Sequence, residues 1–269
     1  MMQASELIKK IYKPQPNALK VISLGWGVQS FTLAAMVALG EIEPVDFAIH
    51  ADITHEASWT YDFADRWTPW LEAHGVKVAT VKPDKEHREV VDRWGGFLIP
   101  AYTPSKNGIG IMKRQCTGKW KIQPIRRYVQ QIREGRPIEM WLGITTDEIN
   151  RVKESNVKYI QHRWSLLERN MSRYQCKNWL KEQGLDIPSR SSCAFCPYHN
   201  IDDWREVLAS EVDRKTAIMV DNAIRKIYPH NDMFLHRSLV PIEKLDIYTP
   251  SELGQMSLWD NECDGICGV

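Results

Sequence analysis

The sequence predicts an α/β fold, a Rossmann-like parallel sheet with helices on both faces and a small Cys-containing C-terminal extension. Three observations predict it. Short apolar, β-branched runs alternate with helical segments, the pattern of parallel strands joined by crossover helices. The first of these runs ends in a glycine-rich turn that feeds directly into a helix. Beyond Pro188 the alternation stops, and a Ser/Cys loop, two short helices and an irregular tail follow.

In chain order, residues 1–18 predict an N-terminal helical segment that stops at the Pro14 and Pro16 breaks. Leu19–Ser23 (LKVIS) predicts the first strand, and Ser30 is placed as the N-cap of the helix FTLAAMVAL. Val45–Ala51 and Val76–Val81 predict the second and third strands, with a Trp-rich helix over Ala57–Ala73 between them. The Gly- and Pro-rich stretch Arg93–Gln115 predicts a long loop that could act as a substrate lid. A helix from about Lys119 to Ile132 and a fourth strand, Glu139–Ile144, come next, then an acidic helix start at Asp147. Ser172 is a predicted N-cap for a helix ending at Gly184, and two short helices fall between Ile201 and Tyr228. The organisation is therefore a helical segment over 1–18, a nucleotide-binding α/β domain over 19–187 and a Cys-rich extension over 188–269. No internal repeat or low-complexity tract interrupts it.

Composition agrees with a globular chain. With 269 residues, 43% hydrophobic and 26% charged, the chain buries a core unaided, which excludes disorder, collagen and fibres. The longest apolar candidate, Leu33–Leu39, is far short of the roughly 20 residues that span a bilayer, so no membrane partner is expected. The first 20 residues lack the apolar core of a signal peptide, and a cytoplasmic location is the expectation. The net charge is +1, yet Ile111–Arg163 holds 12 Lys and Arg against 5 Asp and Glu, leaving 23 against 29 elsewhere. A basic segment in a near-neutral chain suits a nucleotide or a nucleic acid, or is simply a solvated face.

The loop SLGWGVQS (Ser23–Ser30) follows a strand and opens a helix, where small residues let backbone N–H groups approach phosphate oxygens. No Gly-Lys-Ser/Thr closes it and its spacing is not GxGxxG, so a plain tight turn is the alternative. Trp26 inside it either stacks on a base or packs in the core.

The loop resembles the PP-loop of the adenine nucleotide alpha hydrolases, usually written SGGxDS, in the alternating-glycine form of the phosphoadenosine-phosphosulfate (PAPS) reductase-like branch. Three later segments come in the order that branch requires. HADITHE (His50–Glu56) is similar to its acidic segment after the second strand, and RQCTGKWKIQPI (Arg114–Ile125) to its Cys-x-x-x-Lys-x-x-Pro segment. GITTDEINR (Gly143–Arg151) is similar to its Gly-Ile-Arg-x-x-Glu-Ser-x-x-Arg segment. Together they cover about residues 19–200. The whole chain, including its ending NECDGICGV, also looks like a widespread bacterial and phage group known only as reductase-like. Two positions depart from the pattern: Gln29 replaces the loop Asp, and Thr145 replaces the Arg after Gly-Ile.

The resemblance implies a HUP-type fold and an ATP pyrophosphatase chemistry that leaves AMP on a substrate oxygen, with Mg²⁺ assisting. On that reading Ser23, Gly25, Trp26, Gly27, Gln29 and Ser30 form the nucleotide cradle, and Lys119, Lys121 and Arg151 are the cations facing developing phosphate charge. Glu148 occupies the family's acidic position, while Asp147 has the plainer role of an acid at a helix start. Asp52, after the second strand, contacts ribose, adenine or Mg²⁺, or else caps a helix.

Six cysteines in a chain without a secretion signal suit metal or redox roles better than structural disulfides. Cys193-x-x-Cys196 is followed by Pro197, and Cys116 lies 77 residues before Cys193. The resemblance to iron–sulfur sulfonucleotide reductases and thiolation enzymes implies a [4Fe-4S] cluster on Cys116, Cys193 and Cys196. A fourth iron would be left open for sulfide or closed by Cys263, Cys267 or His199. The rival is zinc on Cys193, Cys196, Cys263 and Cys267. Free thiols or a redox pair remain a third option, and Cys176 has the character of a small core residue. In the reductase branch a mobile C-terminal Cys attacks the substrate sulfur, which would make Cys267 catalytic.

Three functions follow as expectations. The first is an ATP-dependent sulfurtransferase that adenylates and thiolates a nucleic acid, tRNA or DNA, with a separate sulfur donor. The second is a PAPS or APS reductase using a thiol reductant. The third is a non-catalytic ATP-binding module with a structural zinc site. A homodimer is compatible with each.

Overall fold

The computed structural model describes residues 6, 8, 11–84, 98–106, 108–227 and 232–247. Its described residues form two compact units. One is drawn from Met1–Ala51, Trp59–Val81 and Pro124–Ser191, the other from Asp52–Ser58, Lys82–Gln123 and Ser192–Val269. The Cys-bearing unit thus takes two segments from inside the span that the sequence assigns to the α/β domain.

The first unit holds a five-stranded parallel sheet of β1 (Leu19–Ser23), β2 (Phe47–Ala51), β3 (Val78–Val81), β6 (Ile138–Trp141) and β7 (Ile160–Arg163). Their order is β3-β2-β1-β6-β7. Each pairing is parallel, with Val21 opposite Phe47 and Met140 in register. Alternate residues of β1 feed opposite faces. Ile22 joins a core with Phe31, Leu33, Trp67, Leu71, Cys176 and Leu180, whereas Leu19 and Val21 join Ile125, Val129, Ile144, Trp164 and Leu167. Helices therefore cover both faces: α1 (Val28–Ala38), α2 (Ser58–Ala73) and α5 (Arg173–Glu182) one, α3 (Gln123–Ile132) and the single turn α4 (Ser165–Glu168) the other. This is the α/β architecture expected from the alternating pattern.

Several boundaries differ from expectation for identifiable reasons. The first sheet helix begins at Val28 with Gly27 as its extended N-cap, so Ser30 lies inside its first turn. Ser172 is an N-cap as expected, in a capping box with Gln175, and the chain turns at Gly184 with φ 68°. The sheet's edge strand β7 (IQHR) carries only one apolar residue and so escapes a hydrophobic-run reading.

In the second unit, part of the expected lid is instead an antiparallel hairpin of β4 (Tyr102–Ser105) and β5 (Gly108–Ile111); residues 93–97 of that lid lie outside the described residues. The expected helix at Lys119 begins earlier as a π-helical turn, Thr117–Ile122. The unit continues with α6 (Ile201–Ala209), capped by Asn200 and Asp203, and α7 (Glu211–Ile227). Cys263 and Cys267 lie outside the described residues.

Candidate functional site

The strand order reverses at β1, whose neighbours are β2 and β6. Open α/β sheets bind ligands at the carboxyl ends of strands where the order reverses. Two of the motifs leave the sheet there: the glycine loop after β1 and the Gly143–Arg151 segment after β6. Leu24 N–H donates to the Ile49 carbonyl at 2.9 Å, so the loop springs from a paired strand end.

The loop is braced by its own serine. Ser30 Oγ accepts from Gly25 N–H at 3.2 Å and donates to the Gly27 carbonyl at 3.2 Å. Trp26 sits between the glycines with φ 58°, a left-handed conformation that costs an ordinary residue about 1–2 kcal/mol. Its ring is 1% exposed and packs near Phe31, Phe63 and His50. Losing a buried Trp side chain costs about 3–5 kcal/mol, so burial outweighs the backbone strain. Trp26 is thus a core anchor for the loop, and the base-stacking alternative is corrected.

The glycines divide into two kinds. A Cβ on Gly143 would meet Ser30 N at 2.8 Å, Gln29 C at 2.9 Å and Ser30 Cα at 3.0 Å, all backbone atoms. Only glycine lets the start of α1 approach the end of β6 this closely. A Cβ on Gly25 would find Ser30 Oγ at 3.8 Å, and one on Gly27 would find Ser191 Cβ at 3.7 Å, both ordinary contacts. Packing within the protein therefore demands glycine at 143 and leaves room at 25 and 27.

Beside the loop, Gln29 bridges opposite charges. Its Nε2 lies 3.5 Å from Glu148 Oε2 and its Oε1 accepts from Arg173 Nη1 at 3.3 Å. Glu148, itself buried, pairs with Arg151 at 2.6 Å across one turn of the 3₁₀ helix Thr146–Arg151. Asp147 instead accepts the backbone N–H of Arg173 at the start of α5, a structural contact. Arg173 carries no motif signal and was missed by sequence reasoning. Cys176, also on α5, is fully buried, and burial pushes its thiol up to about 12.

In the second unit, Asp52 is neither the N-cap of α2 nor without protein partners. Its Oδ1 accepts Thr54 N–H at 2.7 Å and its Oδ2 pairs with Lys82 at 3.2 Å, a carboxylate-stabilised turn. Lys121, expected among the phosphate cations, pairs at 2.8 Å with Glu56, whose side chain is fully buried. Lys119, whose N–H donates to the Gln115 carbonyl at 3.2 Å, makes no ion pair among the described residues.

The same unit holds the central cysteines. Glu56 and Cys193 form an antiparallel bridge, flanked by Ala57 N–H to the Ser192 carbonyl at 2.8 Å and Ala194 N–H to the His55 carbonyl at 3.0 Å. Burial, then the charges of Glu56 and Cys196, pushes the Cys193 thiol well above its ordinary value, with Cys116 adding to the rise and Lys121 opposing it. Cys116, Cys193 and Cys196 therefore share one neighbourhood, and thiols are the donors an iron–sulfur cluster demands. In kind they fit such a group. Among the described residues, however, no group of three or more Cys, His, Asp and Glu side chains is arranged to hold a metal ion. His199, one candidate for the fourth position, has its Nε2 engaged 2.9 Å from Ser192 Oγ. Glu56 was also missed as part of this site, since no local signal in HADITHE separates it from an ordinary surface acid.

No family model matches the chain, and no curated protein matches it by sequence. Solved structures similar to it include a PAPS reductase from Candida auris in a phosphate complex: 12% identity, TM-score 0.42, covering 70% of this chain and 82% of that one. Another is the U34-tRNA thiolase NcsA from Methanococcus maripaludis with its [4Fe-4S] cluster: 13% identity, TM-score 0.48, covering 90% of this chain and 78% of that one. The fold assignment stands on the strand order and pairings of this chain. No described helix is long and apolar enough to cross a membrane.

Proposed function

We propose that this protein is a PP-loop enzyme that binds ATP at the glycine loop, adenylates a nucleic acid acceptor and replaces the adenylated oxygen with sulfur. The carrying observation is the loop after β1, where packing within the protein tolerates a side chain at Gly25 and Gly27 and so does not itself require glycine, beside the charged pair Glu148–Arg151. Small residues at a strand-to-helix turn let N–H groups face phosphate oxygens, and the helix start adds partial positive charge. An acceptor oxygen attacks the α-phosphorus, the α–β anhydride bond breaks and pyrophosphate leaves. A sulfur nucleophile from the donor then displaces AMP. Arg151, restrained by Glu148, is positioned to offset charge on the departing pyrophosphate, with Mg²⁺ in its usual supporting role. Ser30 holds the loop open by fixing Gly25 and Gly27.

In this reading Cys116, Cys193 and Cys196 would hold a [4Fe-4S] cluster, which supplies a site for carrying sulfide. Burial and the charge of Glu56 oppose thiolate formation at Cys193, so loading there releases a proton as the ligand binds. A second reading, a nucleotide-binding module with zinc or free thiols, is favoured by the neutral Gln29 in the loop. Neither reading needs the reductase chemistry, whose phosphosulfate-facing Arg is Thr145 here.

The test is anaerobic purification followed by iron, acid-labile sulfide and zinc analysis, with ATP turnover measured alongside. Iron and sulfide near four per chain, loss of both in Cys193→Ala, and release of AMP and pyrophosphate are expected. ATP binding without hydrolysis in the presence of tRNA or DNA, with stoichiometric zinc and no iron, would leave the binding-module reading instead.

A further inference from the structure

We propose that the β4–β5 ribbon is the docking surface for the acceptor, and that the acceptor presents a single-stranded polynucleotide there. The inference rests on the nucleic acid reading of the function but on different residues from the nucleotide loop. Its first support is charge. Within its own unit, residues 98–123 contain no Asp or Glu, while they hold Lys106, Lys113, Arg114, Lys119 and Lys121. At the chain's average of 34 acids in 269 residues, about three would fall in this stretch.

The second support is the ribbon's faces. The register sets Tyr102 opposite Ile111 and Pro104 opposite Ile109, and sets Thr103 opposite Gly110 and Ser105 opposite Gly108. Side chains alternate between the faces of a strand, so one face is apolar and the other small and polar. On the apolar face Ile109 is 56% and Ile111 44% exposed, and Pro104 is exposed as well. Exposed apolar residues scattered singly are ordinary, but Pro104, Ile109 and Ile111 share one face of a single hairpin, and contiguous exposed apolar surface marks an interaction site. Lys106 follows β4 at the turn and Lys113 lies just past β5; both are exposed and neither has an ion-pair partner among the described residues.

The ribbon is also held firmly at its base. Tyr102 exchanges backbone hydrogen bonds with Phe234 at 2.8 and 2.9 Å, and its hydroxyl donates to the Pro197 carbonyl at 3.4 Å. Met112 N–H donates to the Ala101 carbonyl at 2.9 Å and Gln115 N–H to the Leu98 carbonyl at 3.0 Å. A ribbon about 13 Å long, apolar on its outer face with cations at both ends, suits the faces of unpaired bases in apolar contact with the isoleucines and phosphates on the lysines. A duplex buries its bases and is read by hydrogen-bonding side chains, which this face lacks. An acidic protein would satisfy the lysines but offers no array of flat apolar groups for the isoleucines.

The experiment uses the full chain and fluorescein-labelled oligonucleotides of about 20 nucleotides, as unpaired RNA, unpaired DNA and duplex DNA, with anisotropy titrations between about 50 and 200 mM KCl. Unpaired strands are expected to bind at least about fivefold more tightly than duplex. Lys106→Ala with Lys113→Ala should weaken binding about tenfold and flatten the log–log salt slope by about 1.4, two single-strand phosphate contacts' worth. Ile109→Ser with Ile111→Ser should weaken binding several-fold and leave the salt slope unchanged. Removing the exposed Lys177 and Lys181 of α5, an equal change in charge, should leave both unchanged. Wild-type affinity in both ribbon variants, preference for duplex, no binding at the lowest salt, or equal competition by polyglutamate would each overturn the proposal. Binding of a fluorescent ATP analogue, measured in the same variants, should equal wild type. Failure of oligonucleotide binding with intact ATP cleavage would therefore sink the ribbon alone, and failure of ATP binding with intact ribbon binding would sink only the nucleotide reading.

Discussion

Substituting Ala at Gly25 and at Gly143 separates a glycine kept for a ligand from one kept for packing. At Gly143 the added Cβ would lie 2.8–3.0 Å from three backbone atoms of Gln29 and Ser30, so α1 must shift from the end of β6. Overpacking of this kind costs about 1–3 kcal/mol, and backbone neighbours cannot rotate aside. At Gly25 the nearest atom is a serine hydroxyl at 3.8 Å and the backbone is not left-handed, so folding loses nothing. Restricting the unfolded chain even favours Ala there, by about 0.4–1 kcal/mol. On the proposed function phosphate oxygens approach the loop at this point, where the added methyl would obstruct them, and the expected loss of ATP affinity is at least about tenfold, or 1.4 kcal/mol. Urea denaturation and calorimetric titration with ATP, run on both variants, read the two effects separately. Gly25→Ala should be as stable as wild type but bind poorly, and Gly143→Ala should be less stable. If Gly25→Ala binds ATP normally, or is destabilised as much as Gly143→Ala, the loop is a tight turn and the argument for a cradle collapses.

Three other outcomes are expected. Ser30→Ala removes two loop hydrogen bonds, which should weaken ATP binding while iron content, measured on the same preparation, stays at the wild-type level. Glu56→Ala removes the buried carboxylate that Lys121 pairs with, and thermal or urea unfolding should report a loss of about 1.5–3 kcal/mol; an effect below about 1 kcal/mol would show the pair to be solvated. Because burial raises the Cys176 thiol to about 12, its contribution to stability is complete below the unfolded-state value of about 8.5 and is lost as pH rises toward about 12. Between those limits wild type should lose stability relative to Cys176→Ala by up to about 1.4 kcal/mol per pH unit, and parallel curves for the two proteins would refute the burial argument.

The sheet was legible because its inner strands are short and mostly apolar, and because a buried parallel strand needs little else. What escaped was written in weaker signals. IQHR at β7 has one buried residue, since an edge strand needs to satisfy only part of its surface. The ribbon was hidden by Pro104, Gly108 and Gly110, residues that mark loops in most contexts but here leave one face of a hairpin nearly bare. Ser30 has the chemistry of an N-cap, but Gly27 already provides an extended residue at the helix start, and the hydroxyl turns back to the loop. Contacts between distant positions were beyond reach: nothing near Arg173 signals that it reaches Gln29, 144 residues earlier, nor near Glu56 that it lies against Cys193.

Gln29 shows how those distant contacts explain a departure that the sequence can only record. An acidic side chain at this position would lie beside the buried carboxylate of Glu148, and two neighbouring carboxylates in a poorly solvated place cannot both ionise cheaply. An amide avoids that conflict: its nitrogen faces Glu148 and its oxygen accepts from Arg173, so one neutral group reconciles an anion with a cation. The negative charge of the site is thereby carried by Glu148, one strand away, where Arg151 already balances it. Gln29 is thus the residue that its two charged neighbours call for, and the negative charge of this part of the fold stands on the segment after β6 instead of on α1.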